Sequence, residues 1–231
     1  MYHAMGVNEL NIYVINVITE LYNVLKLYEK EISLNLHPGT LLPKISGYDA
    51  NGYTEAMNQL ICYNECYLDH RESAEFILFS DLDEVITSVN GNLLKTVRIL
   101  FNQIPSVAGF GFTWKTSSYI KVDTVNEYSV GRMFNGLRVW RNESYVKSII
   151  VPKRVGFSIV HDVEGMIYQG REVKHVKLPL EEGYTVHLRA EAQMTKHKGI
   201  DLIDANILAE TQINEYRKLN NKKETVHAVT F

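Results

Sequence analysis

The twelve residues Glu75-Phe76-Ile77-Leu78-Phe79-Ser80-Asp81-Leu82-Asp83-Glu84-Val85-Ile86 constrain this chain more than any other stretch. An apolar run of bulky and aromatic side chains, without Gly or Pro, reads as a buried strand. It ends in three carboxylates within four positions, Asp81, Asp83 and Glu84. Open α/β sheets carry their chemistry just outside the carboxyl ends of their strands. Three uncompensated carboxylates there repel one another and resist desolvation, and a divalent cation removes both problems. Hard carboxylate oxygens suit Mg, Mn or Ca. In an extended segment Asp81 and Asp83 point the same way, because side chains alternate with period two. The plainer alternative is a solvated acidic turn in which Asp83 or Glu84 caps a following helix.

The surrounding pattern is a β-α-β rhythm. Asn11 to Ile15 reads as a strand, Thr19 to Lys30 as an amphipathic helix and Ile32 to Leu36 as a second strand, which implies parallel pairing. Met1 to Gly6 reads as the end of a helix stopped by Gly6. Thr54 is the expected N-cap of a helix running to His70, with Met57, Leu60, Ile61, Asn64 and Leu68 on one face. Asn64 interrupts that stripe, either as a structural hydrogen bond or as an amide facing a ligand. Leu93 to Ile104 is a further amphipathic helix, stopped by Pro105. Val107 to Trp114 is a strand, and Lys115 to Gly136 reads as irregular. Trp114 beside polar residues is either a sugar-stacking platform or a half-buried core residue. Leu137 to Trp140, Val146 to Val151, Gly156 to Val160 and Gly183 to Val186 read as strands. The third of these runs into a second acidic cluster, His161-Asp162-Val163-Glu164. Gly199 to Leu219 reads as a helix.

The expected architecture is therefore one α/β domain over residues 1–220, with 221–231 a frayed tail. A formal net charge of −3 with no basic block gives nothing that points to nucleic acid. The longest apolar runs fall well short of the roughly 20 residues of a membrane span, and the start has no signal-peptide pattern. Cys62 and Cys66, the two cysteines, stand one helical turn apart and make no disulfide framework. Asn142-Glu143-Ser144 is an N-glycosylation sequon, meaningful only in the secretory pathway.

Met57-Asn58-Gln59 and Asn64-Glu65-Cys66, followed by Ser80-Asp81-Leu82-Asp83-Glu84, then Lys147-Ser148-Ile149, Pro152, His161 and His187-Leu188-Arg189, together resemble glycosyltransferase family 92. Glu65 stands where the family pattern has Asp, and Leu188 where it has Tyr. The resemblance implies a GT-A-like mixed sheet flanked by helices. In the family a first strand, a helix and a membrane anchor precede the point where this sequence starts, so the chain reads as N-terminally incomplete.

The implied activity is that of an inverting, metal-dependent galactosyltransferase that uses a UDP-sugar donor and a glycan acceptor in the Golgi. The resemblance also implies the roles of single residues: Asp81 and Asp83 hold Mn²⁺ (or Mg²⁺) against the diphosphate. Glu84 supports them or orients the sugar, with Asn64 also facing the donor. His187 is a third metal ligand or a phosphate contact, and Arg189 supports it. Inversion requires a further carboxylate to deprotonate the acceptor. Asp162 is the first candidate and Glu164 the second. Trp114 and His161 are candidate acceptor contacts. Membrane association would come only through a segment outside this sequence.

Two other readings compete. The same acidic strand resembles the first motif of haloacid-dehalogenase phosphatases, with Asp81 as nucleophile and Asp201 and Asp204 as the later acidic pair. A transferase-like domain retained as a non-catalytic binding module is the other.

Overall fold

The computed structural model describes residues 1–54, 58–89, 91–119, 129–140, 145–158, 163–164, 166–189 and 202–203. A 3-10 helix at Tyr2–Met5 is stopped by Gly6, which takes the left-handed conformation that favours glycine, φ 96°. β1 (Leu10–Val14), α1 (Thr19–Glu31) and β2 (Leu34–Pro38) follow. β1 and β2 pair in parallel, Leu10 opposite Leu34, as the β-α-β rhythm predicts. Next come α2 (Gln59–His70), β3 (Ile77–Leu78), β4 (Glu84–Ile86), α3 (Leu93–Gln103), β5 (Gly109–Ser118) and α4 (Val130–Asn135). The second half is strand-rich: β6 (Arg138–Trp140), β7 (Val146–Ile150), β8 (Phe157–Ser158), β9 (Val163–Glu164), β10 (Ile167–Tyr168), β11 (Arg171–Glu172), β12 (His175–Lys177), β13 (Tyr184–His187) and β14 (Leu202–Ile203).

β5 is the axis of the large mixed sheet. Along one edge it pairs antiparallel with β7 and then β6, and along the other parallel with β12 and then β13. β3 adds to β7, and β4 to β13, both antiparallel. Gly109 is required where β5 meets β7: a Cβ there would stand 2.7 Å from the Ile149 carbonyl oxygen. Gly183 leads β13 in against β4, and a Cβ at that position would collide with the Thr87 carbonyl.

Alternation along the strands sends neighbours to opposite faces. Leu78 and Ile149 pack with Phe110, Phe112, Ile86 and the α3 residues Leu93, Val97 and Leu100. Ile77 and Ile150 pack with Phe79 and with Tyr67 of α2. Helices therefore cover both faces, the arrangement of an α/β domain with a curled mixed sheet.

Several local expectations are corrected. The stretch from Glu75 to Ile86 is not one strand: β3 is two residues long, and a turn at Leu82–Asp83 separates it from β4. Asp81 and Asp83 therefore do not share a face by strand alternation. Thr54 is not the cap of α2. It closes a 3-10 turn at Ala50–Tyr53, and Asn58 in left-handed conformation caps α2 instead. The Thr54 hydroxyl donates to the Asn51 carbonyl and to the Asn58 side chain.

The buried face of α2 is Cys62 and Tyr67, while Leu68 is turned out at 65% exposure. The cause is polar anchoring: the Tyr67 hydroxyl donates to the Val155 carbonyl, and an apolar stripe does not register such bonds. Lys115 to Ser118, expected to be irregular, continue β5, because β13 and β6 supply partners there. Residues 130–135, also expected to be irregular, form α4. Leu202 and Ile203, expected to be helical, pair as strand with Trp140 and Val139. The rest of that expected helix lies outside the described residues.

Candidate active site

The acidic turn is built by strand registry. The Glu84 amide donates to the Asp81 carbonyl, 3.1 Å, which closes the turn directly after β3. β4 then enters the sheet beside β13, with Glu84 opposite His187. The Leu188 amide donates to the Asp83 carbonyl, 2.7 Å, and locks the turn against the end of β13. The side chains on either side of Leu82 consequently diverge.

Asp81 turns inward. One carboxylate oxygen accepts from the Gln59 amide and from the Tyr63 hydroxyl, the latter at 3.0 Å. Gln59 and Tyr63 are one helical turn apart on α2 and are themselves hydrogen-bonded at 2.8 Å. The other oxygen meets Lys147 Nζ of β7 at 3.1 Å. Lys147 is wholly buried, and its ammonium also stands 3.1 Å from Glu84 Oε2. Glu84 is 2% exposed and has both oxygens engaged. Oε1 accepts from Trp114 Nε1 at 2.8 Å and Oε2 from the Asp81 amide at 2.9 Å.

The Tyr2 hydroxyl seals the back, donating to the Glu84 carbonyl at 2.9 Å and accepting from the Ile86 amide. Burial pushes that hydroxyl up to about 12. Burial, and then the Asp81 charge, push the Tyr63 hydroxyl far above its ordinary range. Both therefore act as neutral donors at physiological pH.

Asp83 turns outward. Its side chain is 56% exposed, and Oδ2 lies 2.8 Å from His187 Nε2. Burial opposes ionisation of Asp83, but the His187 hydrogen bond and charge, with Arg189 beyond, outweigh it and hold the carboxyl below the usual range. The His187 ring lies 4.8 Å from Trp114, tilted by 44°. Tyr145 meets Trp114 in an edge-to-face arrangement, ring centroids 6.4 Å apart. Trp114 is thus half-buried and tied to Glu84, and it also forms the wall of the open half.

Do these residues suit a divalent ion? Asp83 offers a hard oxygen and His187 an imidazole nitrogen whose other ring nitrogen is buried with no hydrogen-bond partner among the described residues. Two donors about 2.1 Å from one octahedral ion stand about 3 Å apart, close to the observed separation. No group of three His, Cys, Asp or Glu ligands gathers among the described residues. Mg²⁺-type sites commonly use one or two carboxylates and take the rest from substrate phosphates and water. The Asp83–His187 pair fits that pattern. Asp81 does not join it, since both of its oxygens face Gln59, Tyr63 and Lys147.

Asn64 is also elsewhere. Its amide donates to the Ser158 carbonyl at 2.9 Å and accepts from the Ser158 amide at 3.0 Å, fastening α2 to β8. Glu164 lies in β9, its backbone opposite Phe157. His161 and Asp162 lie outside the described residues, as do Asp201 and Asp204. Sequence reasoning assigned no role to Lys147, Tyr63 or Tyr2. For Tyr63 a signal existed: Gln59 and Tyr63 at i, i+4 share a face. Lys147 is marked only as part of the Lys147-Ser148-Ile149 stretch, with no role attached, and nothing marks Tyr2; both reach the turn through strand registry and chain return.

A mixed sheet with helices on both faces, and carboxylates at the lip of a strand, is compatible with the GT-A-like glycosyltransferases. The profile of glycosyltransferase family 92 matches residues 1–227, and the chain belongs to that family. Two curated relatives, both named glycosyltransferase family 92 proteins and both from Caenorhabditis elegans, share 22% identity over 166 residues and 24% over 188. Those matches cover 70% and 78% of this chain but 33% and 36% of the relatives, so the chain spans about a third of their length. Among the described residues, no helix is long and apolar enough to cross a membrane.

Proposed function

We propose that this chain carries the donor half of a metal-dependent, inverting glycosyltransferase site that moves a sugar, galactose, from a UDP-sugar to a glycan acceptor. The observation that carries this reading is the Asp83–His187 pair at 2.8 Å on the open side of the acidic turn, in a family 92 chain.

Asp83 and His187 are the residues that would hold Mn²⁺ or Mg²⁺. Bound there, the ion would neutralise diphosphate charge as the glycosidic bond to UDP breaks. Arg189, whose charge already bears on Asp83, would contact phosphate oxygens. Trp114 gives the sugar a flat apolar wall held in orientation by Glu84. Asp81 and Glu84 act behind this surface, keeping the turn rigid. The acceptor hydroxyl loses its proton to a carboxylate on the opposite face. Asp162 is our first choice for that base and Glu164 our second, with His161 orienting the acceptor. By the same family reasoning the whole protein would work in the Golgi, where the Asn142 sequon has meaning.

The phosphatase reading would make Asp81 the nucleophile. It is not favoured, because the chain is a family 92 member and both Asp81 oxygens are engaged by Gln59, Tyr63 and Lys147.

Calorimetric titration of UDP into the purified chain, with and without Mn²⁺, tests the reading. Binding that requires Mn²⁺ is expected. Equal binding in EDTA would refute the metal role.

A further inference from the structure

Lys147 is the least expected group near the acidic turn. It lies on β7 opposite Phe112 of β5, with no solvent exposure. A buried ammonium is costly unless it is paired and hydrogen-bonded. Here it has two carboxylates at 3.1 Å, Asp81 Oδ2 and Glu84 Oε2. Those two carboxylates belong to the segment whose composition suggested a metal site. A cation therefore already stands between them, supplied by the sheet. Asp83, the third carboxylate, has its partner on a different strand, His187 of β13.

We propose that Lys147 is a positioning residue that acts as a resident cation: it occupies the place a divalent ion would take between Asp81 and Glu84. Divalent-ion binding is thereby confined to the Asp83–His187 half. The inference rests on the proposed metal-dependent reading only for which half holds the ion in the wild type. The pairing of Asp81 and Glu84 with the Lys147 ammonium does not depend on it. Removing the ammonium would leave two adjacent carboxylates and a vacated volume, a donor set of hard oxygens suited to Mn²⁺ or Mg²⁺.

The test is titration of Mn²⁺ alone, without nucleotide, followed by the electron paramagnetic resonance of the free ion. Wild type is compared with Lys147→Met, Lys147→Arg and the double variant Lys147→Met with Asp83→Asn. Lys147→Met is expected to bind Mn²⁺ roughly tenfold more tightly than wild type or better, since a unit charge at short range no longer competes. That gain should survive Asp83→Asn, whereas Lys147→Arg should behave as wild type. A merely structural lysine would not produce a gain of ion binding.

A folded Lys147→Met that binds no more tightly than wild type overturns the proposal, and so does a gain that vanishes with Asp83→Asn. If Lys147→Met is unfolded without divalent ions, recovery of a cooperative thermal transition in Mn²⁺ supports the proposal, and failure to recover overturns it. Absence of Mn²⁺ binding by wild type would count against Asp83 and His187 as the ion's holders, while a gain in Lys147→Met would still support the role of Lys147.

Discussion

Asp81 and Asp83 are the same residue type two positions apart, yet their surroundings differ. Asp81 faces α2 and β7, where Gln59, Tyr63 and Lys147 all point donors at it. Asp83 faces solvent, where among the described residues its side chain meets His187, with the exposed cation Arg189 at longer range. The difference arises from the turn between them. The Glu84 amide folds back on the Asp81 carbonyl, so one carboxylate is delivered to the interior and the other to the surface. A motif of clustered carboxylates thus divides into a closed half that fixes geometry and an open half that can take a ligand. The chemistry of each is set by the strand behind it, β7 or β13, more than by its place in the motif.

The strongest way to break this division is on its closed side. Glu84→Ala leaves Lys147 buried beside Asp81 alone and frees the Trp114 indole donor. Removing one member of such a buried pair costs about 3–5 kcal/mol, so chemical denaturation should show a loss of that size. A loss below about 1 kcal/mol would mean that the closed half does not carry stability.

Asn64→Ala should come next. It removes the two hydrogen bonds that fasten α2 to the Ser158 backbone, a loss of about 1–3 kcal/mol, while Mn²⁺-dependent UDP binding persists in the folded variant. Loss of binding at unchanged stability would restore Asn64 as a donor contact.

On the open side, Asp83→Asn should shift stability by less than about 1 kcal/mol, the range for ion pairs open to water. What the pair does contribute is present at neutral pH, because the Asp83 carboxyl is held below its usual range. It is lost as pH falls through that lowered value. The wild-type advantage over Asp83→Asn should therefore shrink under acid, as paired unfolding curves at neutral and acid pH would show.

The smallest effect sits further along α2. Burial, and then the charge of Asp69, push the Cys66 thiol up to about 11. Its alkylation by iodoacetamide should be slow at pH 8 and accelerate toward pH 11. Rapid labelling at pH 8 would show that this side of α2 is more open than the closed half requires.

Much of this was legible in the residues. Helices α1 and α3 follow their apolar periodicity, and β1 and β2 pair in parallel as a β-α-β unit must. The acidic cluster at the end of an apolar run marked the candidate site. What could not be read was direction. Ser80-Asp81-Leu82-Asp83 alternates like a strand, but Ser and Asp are also turn formers, and a two-residue β3 let the turn prevail. The outward Leu68 and inward Tyr67 of α2 reverse the apolar stripe because hydrogen bonds to the chain after β7 set the helix's rotation. Lys147 lies 66 residues from Asp81. Only the antiparallel register of β7 with β3 and β5 brings it there, and no local pattern encodes that register.

The most direct measurement is UDP binding with Mn²⁺ to Asp83→Asn beside wild type, with unfolding curves for both. The divided turn predicts a variant of near-wild-type stability that has lost Mn²⁺-dependent binding. A stable Asp83→Asn that binds UDP and Mn²⁺ as well as wild type would contradict it.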